Sequence, residues 1–107
     1  MQGITIHEHA TGEATGGAFD LLEYALSPYC AGPPPRQDLQ VSAACYVLDG
    51  LVALTLDTRT ITASRGVCIL IPAGTTYTFF NPTATAAMLL LWRTPSVRQG
   101  GRKAPVG

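Results

Sequence analysis

The chain has 107 residues, 47% hydrophobic and 13% charged, with seven acidic and seven basic side chains and no net charge. That balance suits a single domain around a single core and excludes a disordered polyelectrolyte. The longest apolar run, Ala86 to Trp92, falls far short of the ~20 residues a membrane helix needs.

In chain order, Ile4-Thr5-Ile6-His7-Glu8-His9 alternates as a strand, and Thr11 to Gly17 reads as a Gly/Thr loop. Ala18 to Leu26 has Phe19, Leu22 and Leu26 at helical spacing, but the surrounding β pattern favours a strand. Ser27 to Pro35 is a Pro/Gly loop in which Pro33-Pro34-Pro35 imposes a stiff, extended path. A strand from Leu39 to Leu48 ends at Asp49-Gly50, a hairpin signal. Leu51 to Leu56, Thr60 to Ala63 and Val67 to Ile71 follow, the last stopped by Pro72, which has no N–H to give a ladder. Thr75 to Phe80 and Ala86 to Arg93 complete about eight short strands. Short apolar runs between tight turns predict an all-β jelly-roll barrel, with the domain over residues 1–95 and a basic, mobile tail over 96–107.

Three cysteines (Cys30, Cys45, Cys68) are odd in number and fit no metal knuckle. Met1-Gln2-Gly3 opens no signal peptide, so the expected location is the cytoplasm. All seven acids lie at or before Asp57, while Arg93, Arg98, Arg102 and Lys103 sit at or beyond the end of the last apolar run. With few aromatics near that basic end and no DNA-reading helix, neither nucleic acid nor membrane is an expected partner.

Gly66, Pro72, Gly74, Tyr77 and Asn81 stand as Gly, five residues, Pro, one, Gly, two, Tyr, three, Asn. That spacing resembles the second motif of the cupin family, with Tyr77 where the motif has its histidine. Ala43-Ala44-Cys45-Tyr46-Val47-Leu48-Asp49-Gly50 occupies the end of the first motif, and the Pro-rich loop before it resembles that motif's usual approach. The resemblance spans residues 17–93 and implies a single-domain cupin, a double-stranded β-helix, with homodimers as the family's habit.

Metal-holding cupins use two histidines one residue apart, a glutamate, and the histidine of the second motif. Here the glutamate position falls on Ala43, and the histidine positions on Arg36 and Asp38 or, with a one-residue loop difference, on Gln37 and Leu39. Alanine has no ligand atom, arginine is permanently charged, and a phenol ionises near pH ~10. A transition-metal site needs about three protein ligands, so no metal and no other cofactor is expected. His7 and His9 share one side of their strand, but no third ligand accompanies them, and solvent-facing or dimer-contact histidines are the better reading.

The expected function is therefore that of a small-molecule pocket inside the barrel. In the enzymatic reading, Tyr77 is an acid or hydrogen-bond donor, Asp38 a base, and Arg36 an anchor for an anionic group, in a metal-independent isomerase, cyclase or lyase. Gln37, Gln40, Cys45, Phe79 and Trp92 are the further expected contacts to substrate, with Tyr24 and Tyr29 as candidates for aromatic walls. The alternatives are a ligand-binding or sensing barrel without turnover, an assembly protein that pairs through a sheet face, and, for Tyr77 itself, a core tyrosine whose hydroxyl bonds to backbone.

Overall fold

The structure, a computed structural model, describes residues 3–97. Eight strands build it: β1 (Ile4–Ala10), β2 (Asp20–Leu26), β3 (Ser42–Asp49), β4 (Leu51–Leu56), β5 (Arg59–Ser64), β6 (Cys68–Ile71), β7 (Tyr77–Phe80) and β8 (Ala87–Thr94). They pair antiparallel into a five-stranded sheet ordered β1-β2-β8-β3-β6 and a three-stranded sheet ordered β5-β4-β7, the two halves of a jelly roll.

Period-two alternation decides which side chains meet between the sheets. Strand β2 turns Asp20, Leu22, Tyr24 and Leu26 inward, β3 turns Ala43, Cys45 and Val47 inward, and β8 turns Ala87, Leu89, Leu91 and Arg93 inward. Register stacks these into rows across the large sheet: Asp20–Arg93–Ala43–Ile71, then Leu22–Leu91–Cys45–Ile69, then Tyr24–Leu89–Val47. The helical spacing of Phe19, Leu22 and Leu26 is thus overridden by the strand environment, and Ala18 to Leu26 is β structure from Asp20 onward.

Two expectations from the sequence need correction. Thr11 to Gly17 is not all loop: a single helical turn spans Gly12–Thr15 (α1), held by Thr15 N–H donating to Thr11 O at 3.1 Å and ended by Gly16 at φ 67°. The strand expected from Leu39 starts only at Ser42, because Leu39 lies exposed in the preceding turn. Packing also continues two residues past 95. Ser96 is buried and its N–H donates to Gly17 O at 3.0 Å, while Val97 N–H donates to Asp20 Oδ2 at 3.0 Å. The rest of the expected tail, 98–107, lies outside the described residues.

The Pro-rich loop has a structural task that its composition explains. Strand β7 is the edge of the small sheet, and the segment from Pro33 to Asp38 runs along it. Arg36 and Tyr77 exchange both backbone hydrogen bonds at 2.9 Å, Thr78 Oγ1 donates to Pro33 O at 2.6 Å, and Gly74 N–H donates to Asp38 O at 2.9 Å. Prolines lack N–H donors, so three of them can cover an edge without leaving a donor unpaired. Gly32, at φ 84°, comes so close to the Phe79 carbonyl that a Cβ there would lie 1.8 Å from its oxygen.

Candidate functional site

Tyr77 opens β7 on its inward face and is 5% exposed. It lies in the wall of a cavity of about 320 Å³ bounded by Tyr24, Leu91 and Phe79 within the barrel and by Pro33, Pro34, Pro35 and Arg36 at the lip. This volume is at the lower end of the ~300–1,000 Å³ typical of small-molecule sites. Tyr24 and Phe79 meet edge to face at 4.9 Å, which fixes one wall.

The Asn81 clasp explains how the turn after β7 is fixed. Asn81 is buried, its Nδ2 donates to the carbonyls of Leu26, Ser27 and Thr85 at 3.3, 3.1 and 2.8 Å, and its Oδ1 accepts from Thr83 N–H and Thr83 Oγ1, both at 2.9 Å. One amide therefore pins the end of β2 to the β7–β8 turn. At the other end, Gly74 (φ 90°) turns the chain into β7, in a left-handed conformation that costs any other residue. Between these fixed points Tyr77 has little freedom to point elsewhere.

Among the described residues, the Tyr77 hydroxyl has no hydrogen-bond partner, and it is not among the fully buried unpaired atoms, so it opens to the cavity. A core tyrosine bonded to backbone is not what the structure contains. Burial pushes the Tyr77 pKa above that of an ordinary phenol, opposed by the guanidinium charges of Arg36 and Arg93 and reinforced by the nearby Asp38 carboxylate. The group is a neutral donor at physiological pH.

Arg36 lines the lip, and its Nε donates to Asp38 Oδ2 at 3.0 Å. The charges of Arg36 and Asp38 both act on Tyr77, whereas Gln37 is exposed and spends its Nε2 on Gly74 O at 2.8 Å. Of the two pairs expected at the histidine positions, Arg36 and Asp38 stand close enough for their charges to act on Tyr77, while Gln37 and Leu39 are exposed. Asp38 does not itself line the cavity.

Several expected contacts lie elsewhere. Trp92 sits on the outer face of β8, 41% exposed against Phe19, because its parity is opposite to that of Leu91. Gln40 is exposed in the turn before β3, and Tyr29 is exposed on the loop outside the barrel. Cys45 faces inward but is sealed between Leu91 and Ile69 at 0% exposure, away from the cavity wall, and burial pushes its thiol up to about 12. Phe79 lines the cavity.

Two residues that sequence reading missed are the most unusual of the interior. Asp20 and Arg93 are buried opposite one another on β2 and β8, with Arg93 Nη2 3.4 Å from Asp20 Oδ2. Sequence position groups Arg93 with the basic end of the chain; in the fold it is a core cation. The signal is present in the alternation Ala87, Leu89, Leu91, Arg93, which puts the arginine on the inward parity.

The donor set does not fit a metal. A guanidinium at one ligand position repels a cation, an alanine methyl at another offers no donor, and a phenol of raised pKa gives up its proton reluctantly. Among the described residues no group of three or more His, Cys, Asp or Glu is arranged to hold a metal ion. His7 and His9 lie on exposed β1 with ring centroids 4.5 Å apart, and His9 Nε2 is 2.8 Å from Glu23 Oε1.

Comparison with known proteins places this geometry. The family described as the cupin domain matches residues 25–93, well over half of the chain. A protein from Thermus thermophilus superposes with a TM-score of 0.78 at 19% identity, over 88% of this chain and 85% of that one. A sugar phosphate isomerase of the cupin superfamily from Silicibacter pomeroyi superposes with a TM-score of 0.75 at 26% identity, over 88% of this chain and 60% of that one. A predicted oxalate decarboxylase from Thermotoga maritima gives 0.79 at 14% identity, over 86% and 80%. No protein of curated function matches the sequence.

Proposed function

The chain belongs to the cupin family, and from that premise we propose that its cavity is the active site of a metal-independent enzyme acting on a compact, partly apolar substrate, in an isomerase, cyclase or lyase reaction. The observation that carries this reading is a buried phenol whose hydroxyl has no partner among the described residues and faces a cavity of about 320 Å³. A core tyrosine is ordinarily paired, since an unmet buried hydroxyl is costly. An unpaired one facing a cavity is preorganised for a ligand oxygen.

In the simplest step, Tyr77 donates a hydrogen bond to a substrate carbonyl and Arg36 holds an oxyanionic group at the lip. The base for the carbon next to the carbonyl is Asp38, which stands beside the lip and not in the wall, so this step requires its carboxylate to turn inward from Arg36. On an α-hydroxy carbonyl the negative charge that develops on the carbonyl oxygen is met by the phenol; that oxygen takes a proton as the neighbouring hydroxyl gives one up, and return of the carbon-bound proton to the former carbonyl carbon completes an isomerisation. The isomerase among the structural relatives supports this class of reaction.

One observation favours the second reading, a binding barrel without turnover: Asp38 lies off the cavity wall with one oxygen committed to Arg36. Exchange of carbon-bound hydrogen for deuterium, followed by NMR on a panel of small hydroxy ketones and ketoses, separates the two. Exchange that falls by about 10²–10⁴-fold in Tyr77→Phe supports the acid role. Exchange undiminished in that variant removes it, and binding with no exchange at all favours the carrier. A homodimer is the proposed assembly, checked by light scattering of the purified chain.

A further inference from the structure

Arg93 is a cation in the wrong company for a core. It sits on β8, the central strand of the five-stranded sheet, 5% exposed, in a row whose other members are Asp20, Ala43 and Ile71. Its counter-ion is shared. Asp20 Oδ1 accepts from Gly12 N–H at 3.0 Å and Ser96 Oγ at 2.6 Å, and Oδ2 accepts from Val97 N–H at 3.0 Å. Arg93 Nη2 reaches Oδ2 only at 3.4 Å, the longest of the four, and Arg93 Nε has no acceptor at all among the described residues.

Charge-assisted pairs normally close to about 2.7–2.9 Å, often with two parallel bonds. Here the carboxylate also ties α1 and residues 96–97 to the barrel, its contact with the guanidinium is long, and Nε is left without an acceptor among the described residues. Its neighbour along the strand on the inward face, Leu91, is part of the cavity wall, and Arg36 brings a second guanidinium to the lip. The positive field of both reaches the Tyr77 hydroxyl, where each works against the effect of burial.

We infer that the cavity takes a ligand bearing an oxyanion, a carboxylate or a phosphate, and that Arg93, one inward position beyond the wall residue Leu91 on β8, is the buried cation that selects for it. The inference rests on the reading above that this cavity is the ligand site with Arg36 at its lip, and it adds Arg93 as a second, buried source of selection for the anion. Arg93 acts through its field and its placement, not as a catalytic residue. In a low-dielectric interior, charge acts over longer distances than at a wet surface, so an anion in the cavity gains from a guanidinium it does not touch.

The test is binding, which does not depend on turnover. Benzoate, phenyl phosphate and the neutral isostere benzamide are titrated against the full chain at pH 7 and low salt by ligand-observed NMR. Binding of either anion about tenfold or more tighter than benzamide is expected, and the two anions against each other tell carboxylate from phosphate. Arg93→Met, which keeps the chain length and removes the charge, is expected to cut that preference by about fivefold or more, while Arg93→Lys keeps most of it. Equal affinity for charged and neutral probes, binding of none of the three, or an unchanged preference in Arg93→Met overturns the inference. If Arg93→Met does not fold, the wild-type preference and Arg93→Lys still decide it, since a preference lost in Arg93→Lys also counts against a field effect. Loss of exchange chemistry in Tyr77→Phe with the anion preference intact leaves this inference standing, and the converse leaves the acid role standing.

Discussion

Two rows of the same sheet, two residues apart on every strand, contrast the uses of an interior. The row through Leu22, Leu91, Cys45 and Ile69 is apolar, and its stability follows from area removed from water. The row through Asp20, Arg93, Ala43 and Ile71 carries two opposite charges on the same strands, and all four are buried. A buried ion pair is a weak means of stabilisation, because desolvation offsets attraction. Such a pair with a loose contact and an unmet Nε is better explained by a task than by stability.

Deleting one partner of the charged row should break the contrast most severely. Asp20→Ala strands Arg93 and removes the acceptor for Gly12, Ser96 and Val97, and a loss of about 3–5 kcal/mol is expected in urea unfolding. A loss below about 1 kcal/mol would show that the carboxylate is not the clasp described.

Further along β8, in the apolar row that Leu89 shares with Tyr24 and Val47, Leu89→Ala removes a side chain of 0% exposure. It should cost about 2–5 kcal/mol through transfer and cavity terms. Leu89→Met, which nearly keeps the volume, should cost less than about 1.5 kcal/mol. An equal loss in both variants would show that this row is not held by packing.

Alkaline titration sharpens the same comparison. The Cys45 thiol, buried in the apolar row beside the charged one, is raised from 9.0 to about 12, so the unfolded chain loses that proton first. Stability should be intact below pH about 9 and fall through the interval to about 12, at up to about 1.4 kcal/mol per pH unit. Tyr77, also raised, acts in the same direction above its ordinary value near ~10. Cys45→Ala should flatten the slope beginning near pH ~9, and an unchanged slope would assign the alkaline loss elsewhere.

The smallest effect is the most informative. Tyr77→Phe removes a hydroxyl without a partner among the described residues, so its stability should change by less than about 1 kcal/mol, while any chemistry of the cavity collapses. A loss of about 2 kcal/mol or more in that variant would make Tyr77 a structural residue.

Much of this is legible from residue pattern. Alternation in Ala43 to Val47 and Ala87 to Leu91, with Gly50 and Gly74 at positive φ where the turns require it, is enough to write the strands and predict a barrel. The same parity argument points Tyr77 and Phe79 inward. What fails does so for identifiable reasons. Size suggests Trp92 for the cavity, although its parity faces it outward. Polarity suggests Gln40, although it sits in a turn before the strand begins. Arg93 escapes notice because charge at the end of an apolar run resembles the start of a solvated tail.

The sequence alone determined the fold class and the identity of the residue aimed into the barrel, because spacing of glycine, proline and asparagine fixes backbone turns locally and side-chain parity is a property of the strand itself. Only the tertiary structure decided that Pro33 to Arg36 closes the lip over Tyr77, that Asp38 is tied to Arg36, and that Asp20 and Arg93 meet in the core. Of those contacts all but the Arg36–Asp38 pair join residues distant in sequence, Asp20 and Arg93 being 73 positions apart. Strand order and register set such meetings, and no local propensity encodes them.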